Sequence, residues 1–428
     1  MTTTTPRIAI IGAGPVGLTL AAILHHNGIK STIFEREDNA TIRSQGGTLD
    51  IHTESGQRAL AAAGLLPAFK KIARAEGEAT RLVRKDGTVV LDENEDRKVQ
   101  EEEEEGQRKE AEAEAQEIRG RPEIDRSDLK DLLIAALPRE TIRWGKGISS
   151  VKPVPGTQQW TLEFLNGSDG EEESGPYDLV LGADGAWSRV RPLLTDVRPF
   201  YSGVTALDLW ISPANLAKRP DVKAFIGKGS CMLLHTDRFL SLQMHGDGSA
   251  RCYASVRTSR ELGAEVPRTK VLLGMDDDDA DVDWKDERIR ERFWEHNFAG
   301  WAAEARDAVA AMTERPVLRH LYMLPVGHTW EPRPGVSLLG DAAHVMTPFA
   351  GVGVNVGMVD ALELAEGILG YVKNGGDLAT VLKTYEEGMF KRSSQDAAVT
   401  ANMMELEFQE NGVDAVLQVM TGGPPPDA

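Results

Sequence analysis

The apolar run Ile8-Ala9-Ile10-Ile11 feeds directly into Gly12-Ala13-Gly14-Pro15-Val16-Gly17, and helical spacing follows over residues 18–26. This order constrains the chain more than any other feature, because each glycine answers a different steric demand. Gly12 permits a tight turn after a buried strand, Gly14 lets backbone approach a pyrophosphate, and Gly17 lets helix and strand pack closely. Pro15 and Val16 fall where the helix starts, and the unpaired N–H groups there carry partial positive charge toward a phosphate. Asn27-Gly28 ends the helix, and residues 29–34 read as a second strand closed by Glu35 and Arg36. A carboxylate at that strand end accepts from ribose hydroxyls. The glycines alone would serve any tight turn. With a strand before them, a helix after them and an acid at the next strand end, they predict a dinucleotide site.

Two further strand patterns end in the same kind of turn. Asp178-Leu179-Val180-Leu181 runs into Gly182-Ala183-Asp184-Gly185, with Arg189 and Arg191 just beyond. Val336-Ser337-Leu338-Leu339 runs into Gly340-Asp341-Ala342-Ala343-His344, followed by Pro348-Phe349-Ala350 and Gly351-Val352-Gly353-Val354-Asn355. In an open parallel sheet, ligands collect beyond the carboxyl ends of strands, so three such ends converge on one nucleotide. Shorter alternating stretches over residues 200–257 suit a second, antiparallel or mixed sheet. Helical spacing marks residues 55–66, 355–372 and 377–420. The helix beginning near Asn355 would offer its N-terminal amides to negative charge. His52 and His344 read as neutral, satisfied residues beside turns.

Composition narrows the rest. The chain has 428 residues, enough for two domains or one intertwined pair, and a net charge of −19. Residues 92–117 hold 13 carboxylates against four basic residues, and residues 276–283 add six carboxylates, which leaves only −4 for the remainder. The first run reads as an exposed insertion. Acidity argues against a nucleic-acid partner or an anionic membrane, and the glycine turns already have a nucleotide to bind. Two cysteines, Cys231 and Cys252, supply neither a disulfide framework nor a Cys-based zinc site, and no metal-ligand spacing stands out. No targeting segment and no apolar run of membrane-spanning length is visible, which predicts a cytoplasmic protein.

The paired DG and GD turns, at Asp184-Gly185 and Gly340-Asp341, resemble the motifs of single-component (group A) flavin monooxygenases similar to para-hydroxybenzoate hydroxylase. The resemblance implies a Rossmann-like α/β FAD-binding domain with a parallel sheet, interleaved with a mixed-sheet substrate domain, α+β overall. It implies Asp341 at the flavin ribityl chain or pyrophosphate, the turn from Pro348 to Asn355 beside the isoalloxazine ring, and Asp184 near the pyrophosphate and the nicotinamide donor. The implied reaction uses NADPH or NADH and O2 to hydroxylate an aromatic or polycyclic oxygenated small molecule through a flavin C4a-hydroperoxide. With one glycine fingerprint and no second nucleotide-binding unit, NAD(P)H would bind transiently in a groove.

Arg43-Ser44-Gln45-Gly46-Gly47-Thr48-Leu49-Asp50-Ile51-His52, Pro122-Glu123-Ile124-Asp125-Arg126 and Pro348-Phe349-Ala350-Gly351 look like the tetracycline-inactivating members. That likeness puts Arg43 over the flavin, Arg126 on the cofactor and Asp50 nearby. No side chain stands out as an obligatory acid or base. Where those enzymes hold the drug with a Gln and an Arg, an ungapped alignment places Asp208 and Gly229, which supply neither donor. Asp208, Gly229, Pro348, Phe349 and Gly351 are the substrate candidates.

The expected boundaries are 1–75, 118–195 and 315–372 for the FAD domain, 76–91 and 196–314 for the substrate domain, 92–117 for the acidic insertion, 373–420 for a C-terminal helical segment and 421–428 for an unstructured tail. A monomer or weak dimer is expected. A flavin reductase or dehydrogenase of the same fold, and a non-catalytic nucleotide-binding interaction protein, remain as alternatives.

Overall fold

The computed structural model describes residues 5–40, 46–94, 120–165, 173–265, 272 and 283–423. Residues 95–117 of the acidic insertion, most of the second acidic run, Arg43 and the last five residues lie outside the described residues, while Asp92, the first residue assigned to the insertion, ends a strand. In chain order the principal strands are β1 (Ile8–Ile11), β2 (Ser31–Phe34), β3 (Thr80–Val83), β4 (Val89–Asp92), β5 (Ile142–Arg143) and β6 (Leu179–Gly182). They continue with β7 (Phe200–Ile211), β8 (Ser230–His235), β9 (Arg238–Met244), β10 (Ala250–Arg257), β11 (Val317–Met323) and β12 (Val336–Leu338). The principal helices are α1 (Pro15–His26), α2 (Gly56–Ala62), α3 (Arg126–Ala135), α4 (Pro220–Ile226) and α5 (Glu287–Phe298). They are followed by α6 (Ala303–Ala311), α7 (Gly353–Asn374), α8 (Leu378–Glu407) and α9 (Gly412–Met420).

The chain divides into two units, each assembled from three segments. Unit 1 comprises 1–73, 126–200 and 322–401; unit 2 comprises 74–125, 201–321 and 402–428. Relative to the boundaries read from sequence, residues 118–125 fall with the second unit. The C-terminal segment is shared, because the division falls inside α8.

Unit 1 is built on a five-stranded sheet in the order β12-β6-β1-β2-β5. Every pairing in it is parallel. Its central strands read as continuous apolar runs because both faces are covered, and β1 and β6 are buried along their whole length. Helix α1 starts with Pro15 in its first turn and has Asn27 as its C-cap. Gly28 follows at φ 77°, a left-handed turn in which the Ile29 N–H reaches back to the Leu24 carbonyl at 2.9 Å. The helix buries Leu18, Leu20, Ile23 and Leu24 and packs on α7, which buries Met358, Leu362, Leu364 and Ile368. Each such side chain stabilises the fold by about 1.5–3 kcal/mol before entropy is charged.

Unit 2 carries a seven-stranded sheet in the order β11-β7-β10-β9-β8-β3-β4. The β8–β3 pairing is parallel, whereas β7–β10, β10–β9, β9–β8 and β3–β4 are antiparallel, so the sheet is mixed. Its two faces differ in chemistry. One face, with Leu207, Leu209, Ile211, Leu233, Leu240 and Leu242, joins Phe293, Trp294 and Phe298 of α5 in a single apolar cluster. Cys231 and Cys252 lie in that cluster as free thiols, and burial pushes Cys231 up to about 12. The alternate residues of β7, β9 and β10 point to the other face. There Asp208 stands opposite Tyr253, and Trp210 and Gln243 stand opposite Arg251. No helix among the described residues is long and apolar enough to cross a membrane.

Candidate functional site

The carboxyl ends of β1, β6 and β12 bring the three glycine turns together. Gly12 has φ 106°, and a Cβ there would lie 2.4 Å from the Ala183 carbonyl oxygen of the second turn. A Cβ on Gly17 would lie 2.3 Å from the Gly12 carbonyl oxygen, so close packing fixes both positions as glycine. Gly14 differs. It is the N-cap of α1 with extended backbone, and nothing stands within 4 Å of the place a Cβ would take. Open space therefore faces the start of α1, whose first amides have no intrahelical partner. Glu35 braces this turn: its carboxylate accepts the Ala13 N–H at 2.7 Å and the Glu37 N–H at 2.9 Å. Arg36 is exposed beside it.

In the second turn, Asp184 Oδ2 accepts the Arg189 N–H at 2.6 Å, while Oδ1 is buried with no hydrogen-bond partner. Burial pushes this carboxyl up, against hydrogen bonds from Ser188 and the Arg189 amide. Arg191 is only 4% exposed and joins two turns, because its guanidinium donates to the Ala186 carbonyl and, at 2.9 Å, to the Ala342 carbonyl.

The third turn begins at Gly340, which has φ 55°. Asp341 opens the helical turn Asp341–His344 and stays solvent-accessible within a protein-dense surround. Desolvation pushes its carboxyl up, opposed by His344, Arg126 and Arg191. Pro348–Ala350 forms a short 3-10 turn, Gly351 is left-handed at φ 68°, and α7 starts two residues later. Asn355, buried in the first turn of α7, clips a loop onto that helix start. Its Oδ1 accepts the His52 N–H at 2.9 Å and the Ser55 hydroxyl at 3.1 Å, and its Nδ2 donates to the Asp50 carbonyl at 2.8 Å. Asp50 Oδ2 pairs with His52 Nε2 at 2.8 Å.

Behind the third turn lies an ion cluster that the sequence did not reveal. Asp360 of α7 is fully buried, and its Oδ2 accepts both the Gly340 N–H at 2.9 Å and His344 Nε2 at 2.6 Å. Its Oδ1 accepts from Arg392 of α8 at 2.8 Å, and Arg392 also binds both oxygens of Glu363. One carboxylate thus holds both ends of the turn that carries Asp341. Burial alone would lower His344, but the charge and hydrogen bond of Asp360 raise it. Asp360 thus favours the protonated form of His344, where the sequence reading expects a neutral residue. Burial alone would raise Asp360, but His344, Arg392 and the Gly340 amide hold it below the usual carboxylate range. The only signal for this cluster was an acid on the apolar stripe of α7, between Val359 and Ala361.

The signs define a pH dependence. Stability from the raised His344 is complete below about pH 6.5 and lost as pH rises through its folded value. Stability from the depressed Asp360 is complete above about pH 3.9 and lost as pH falls through its folded value. Melting of wild type and His344→Gln between about pH 5 and pH 9 should show a gap that closes on the alkaline side. A constant gap would contradict the charged pair.

The family model described as "FAD binding domain" matches residues 5–233 and 329–400. The monooxygenase asqM of Emericella nidulans is 31% identical over 459 aligned residues, covering 97% of this chain and 98% of the relative. This chain belongs to the FAD-dependent monooxygenases. The 3-amino-4-hydroxybenzoate 2-monooxygenase PtmB3 of Streptomyces platensis is 29% identical, covering 89% of this chain and 83% of its own. Among solved structures, the tetracycline destructase Tet(55) superimposes with a TM-score of 0.69 at 18% identity, with full coverage of both chains, a likeness of fold.

The residues of this monooxygenase fit FAD. Gly14 leaves room at the start of α1, Asp184 Oδ1 is a buried acceptor still lacking a donor, and Asp341 keeps an accessible carboxylate three residues before His344. Glu35 spends part of its acceptor capacity on the Ala13 and Glu37 amides, and two carboxylate oxygens leave lone pairs for ribose. Arg126 heads α3, half-buried and within electrostatic range of Asp341. Val16 packs under both Gly340 and Gly357, whose missing side chains admit it. Pro348 and Gly351 are exposed and Phe349 is half-buried, while Gly353 and Val354 open α7.

The two substrate candidates of unit 2, Asp208 and Gly229, are both buried. The Asp208 carboxylate is fully buried between Arg251 and Arg319. Gly229 is glycine because a Cβ would lie 2.3 Å from the carbonyl oxygens of Gly77 and Ala79, so that position faces backbone. Asp125, His245 and Asp247 bring possible metal-ligand atoms within 4.8 Å of one another. However, Asp125 already binds Arg74 at 2.9 Å and the Gly246 N–H at 3.0 Å, which makes the group an ion-pair cluster.

Proposed function

We propose that this enzyme hydroxylates an aromatic or polycyclic, oxygenated small molecule with NAD(P)H and O2. The reading rests on one observation: three strand-end turns of unit 1 converge with an open phosphate approach at Gly14 and an unpartnered buried acceptor at Asp184. The name of the relative PtmB3 specifies a phenolic substrate, which supports the aromatic class.

Bound FAD supplies hydride acceptance and oxygen activation; the chain supplies orientation, charge and exclusion of water. The α1 amides and the Gly14 backbone would hold the pyrophosphate, and Glu35 the ribose. Asp341 and Asp184 would bind the ribityl and pyrophosphate region, with Arg126 close by. The N-terminal amides of α7, kept in place by Asn355, would favour negative charge on the reduced ring. Asp50 and the turn from Pro348 to Gly351 would flank the ring, and Arg43 is proposed to lie over it. Overall, one oxygen atom of O2 enters the substrate, the other leaves as water, and NAD(P)H with one proton provides the two electrons.

Purified protein should carry the yellow flavin absorbance or acquire it with added FAD; its absence would overturn the reading. Screening NAD(P)H and O2 consumption against phenols and polyketides should then find a substrate whose product gains one oxygen atom. Flavin reduction without oxygen insertion across the screen would favour a reductase.

A further inference from the structure

Asp360 Oδ2 is shared by two donors at opposite ends of one short turn, the Gly340 N–H at 2.9 Å and His344 Nε2 at 2.6 Å. Within the turn, the Ala343 and His344 amides both return to the Gly340 carbonyl, at 2.8 and 2.9 Å. Arg191 adds a third support at the Ala342 carbonyl, at 2.9 Å. The place of Asp341 is set by these bonds. Of the three supporting donors, the imidazole alone changes its charge near neutral pH. While protonated it makes a charge-assisted bond, roughly twice as strong as the neutral bond left after the proton has gone.

The His344 side chain is 8% exposed, yet a cleft of about 250 Å³ reaches it between residues 324–328 and α8. His328, Ser393 and Ser394 stand in its wall, and His328 Nε2 is buried without a hydrogen-bond partner. Two imidazoles and two hydroxyls make the cleft polar enough to hold water, which gives the His344 proton a way out. The charged groups facing His344 are Asp360 on α7, Arg392 and Asp396 on α8, and Asp341 on its own turn. Arg392 is shared with Glu363, while Arg126 and Arg191 act on Asp341, and Arg191 also acts on His328. Asp360 and Glu363 balance His344 and Arg392 while the imidazole is charged. Without its proton the quartet carries one net negative charge, in a place where burial leaves charges weakly screened.

We propose that His344 is a positioning residue for the cofactor and that its proton works a latch: the protonated imidazole holds the Gly340–His344 turn for FAD, and loss of that proton loosens the turn and lets FAD go. The inference rests on the placement of FAD at this turn proposed above. Two effects act in the same direction. A loosened turn spends less time in the binding geometry, and apparent affinity falls with the competent fraction. The uncompensated charge of Asp360 also opposes an anionic pyrophosphate nearby. The N–H bond of the imidazolium breaks, its electron pair stays on nitrogen, and water in the cleft takes the proton.

Titration of FAD-free full-length protein with FAD between about pH 6 and pH 9 tests the latch, read by flavin fluorescence well below the melting transition, with folding checked by circular dichroism. The wild-type dissociation constant should rise at least about tenfold over this range, the effect of a one-unit difference in the His344 pKa between bound and free protein. His344→Gln keeps a neutral amide donor toward Asp360. It should bind at every pH as wild type does at the alkaline end, within about twofold. Asp396→Asn should keep the wild-type profile. A flat wild-type profile, an equal slope in His344→Gln, or loss of the slope in Asp396→Asn overturns the proposal. If His344→Gln does not fold, hydrogen exchange on FAD-free wild type decides it. After correction for intrinsic rates, peptides spanning Gly340–His344 should lose protection as pH rises, and constant protection overturns the latch. Absence of FAD binding at every pH overturns the placement of the cofactor, while the exchange profile still decides whether a proton holds the turn.

Discussion

Gly14→Glu is expected to give a folded protein that retains no FAD. The backbone at Gly14 has φ −76° and ψ 172°, which any residue adopts, and no atom obstructs a side chain there. A carboxylate at the start of α1 would even stabilise the helix, by about 0.3–1 kcal/mol. Yet it would place bulk and negative charge where a pyrophosphate must meet the same amides. Unfolding should therefore occur at or slightly above the temperature of FAD-free wild type, since bound FAD itself stabilises the native state, while the flavin-to-protein absorbance ratio falls to background and FAD titration shows no saturable binding. A variant with normal flavin content would remove the glycine turn from the cofactor site. Gly12 offers no such separation, since any Cβ there collides with the Ala183 carbonyl.

Asp360→Ala should have the largest effect on stability. It would leave the Gly340 amide, the His344 imidazole and part of the Arg392 guanidinium without their acceptor in a fully buried place. Removing one partner from a buried ion cluster costs about 3–5 kcal/mol. For a unit of this size that lowers the melting temperature by roughly 10 °C. Because the same carboxylate pins the turn bearing Asp341, FAD affinity of the folded fraction should also fall. Fluorescence titration at a temperature well below the transition separates the two effects. Full FAD affinity in a destabilised variant would make Asp360 a strut of the fold and nothing more.

The strand ends were legible in the sequence because their chemistry is local. A turn that must bend within two residues and admit a phosphate leaves few residue choices, so Gly12, Gly14 and Gly340 announce themselves. Helix α7 was equally plain from its apolar stripe, and its start two residues earlier than expected costs nothing in the argument. What stayed hidden depends on partners distant in the chain. Asp208 and Gly229 entered as substrate candidates without the donors expected there; nothing near Asp208 in sequence suggests Arg251 and Arg319 as its partners, and the close backbone of Gly77 and Ala79 beside Gly229 is a tertiary fact. His344 reads as neutral from its neighbours in sequence because the group that favours its protonated form is Asp360, whose own place on a buried helix stripe is unusual only once the turn beside it is seen. In each case the residue type was readable and its environment was not.

The segmentation of unit 1 also shapes how the molecule is made. The parallel sheet receives its β12 edge only at Val336–Leu338, and the turn bearing Asp341 is braced by Arg392 still later in the chain. During synthesis, β1, β2 and β6 must therefore wait, with an open edge, until most of the polypeptide has emerged. Parallel pairings between such distant segments form slowly and leave apolar edges exposed meanwhile. A nascent chain ending before β12 should associate with holdase chaperones, and release into a protease-resistant form should coincide with the emergence of α8.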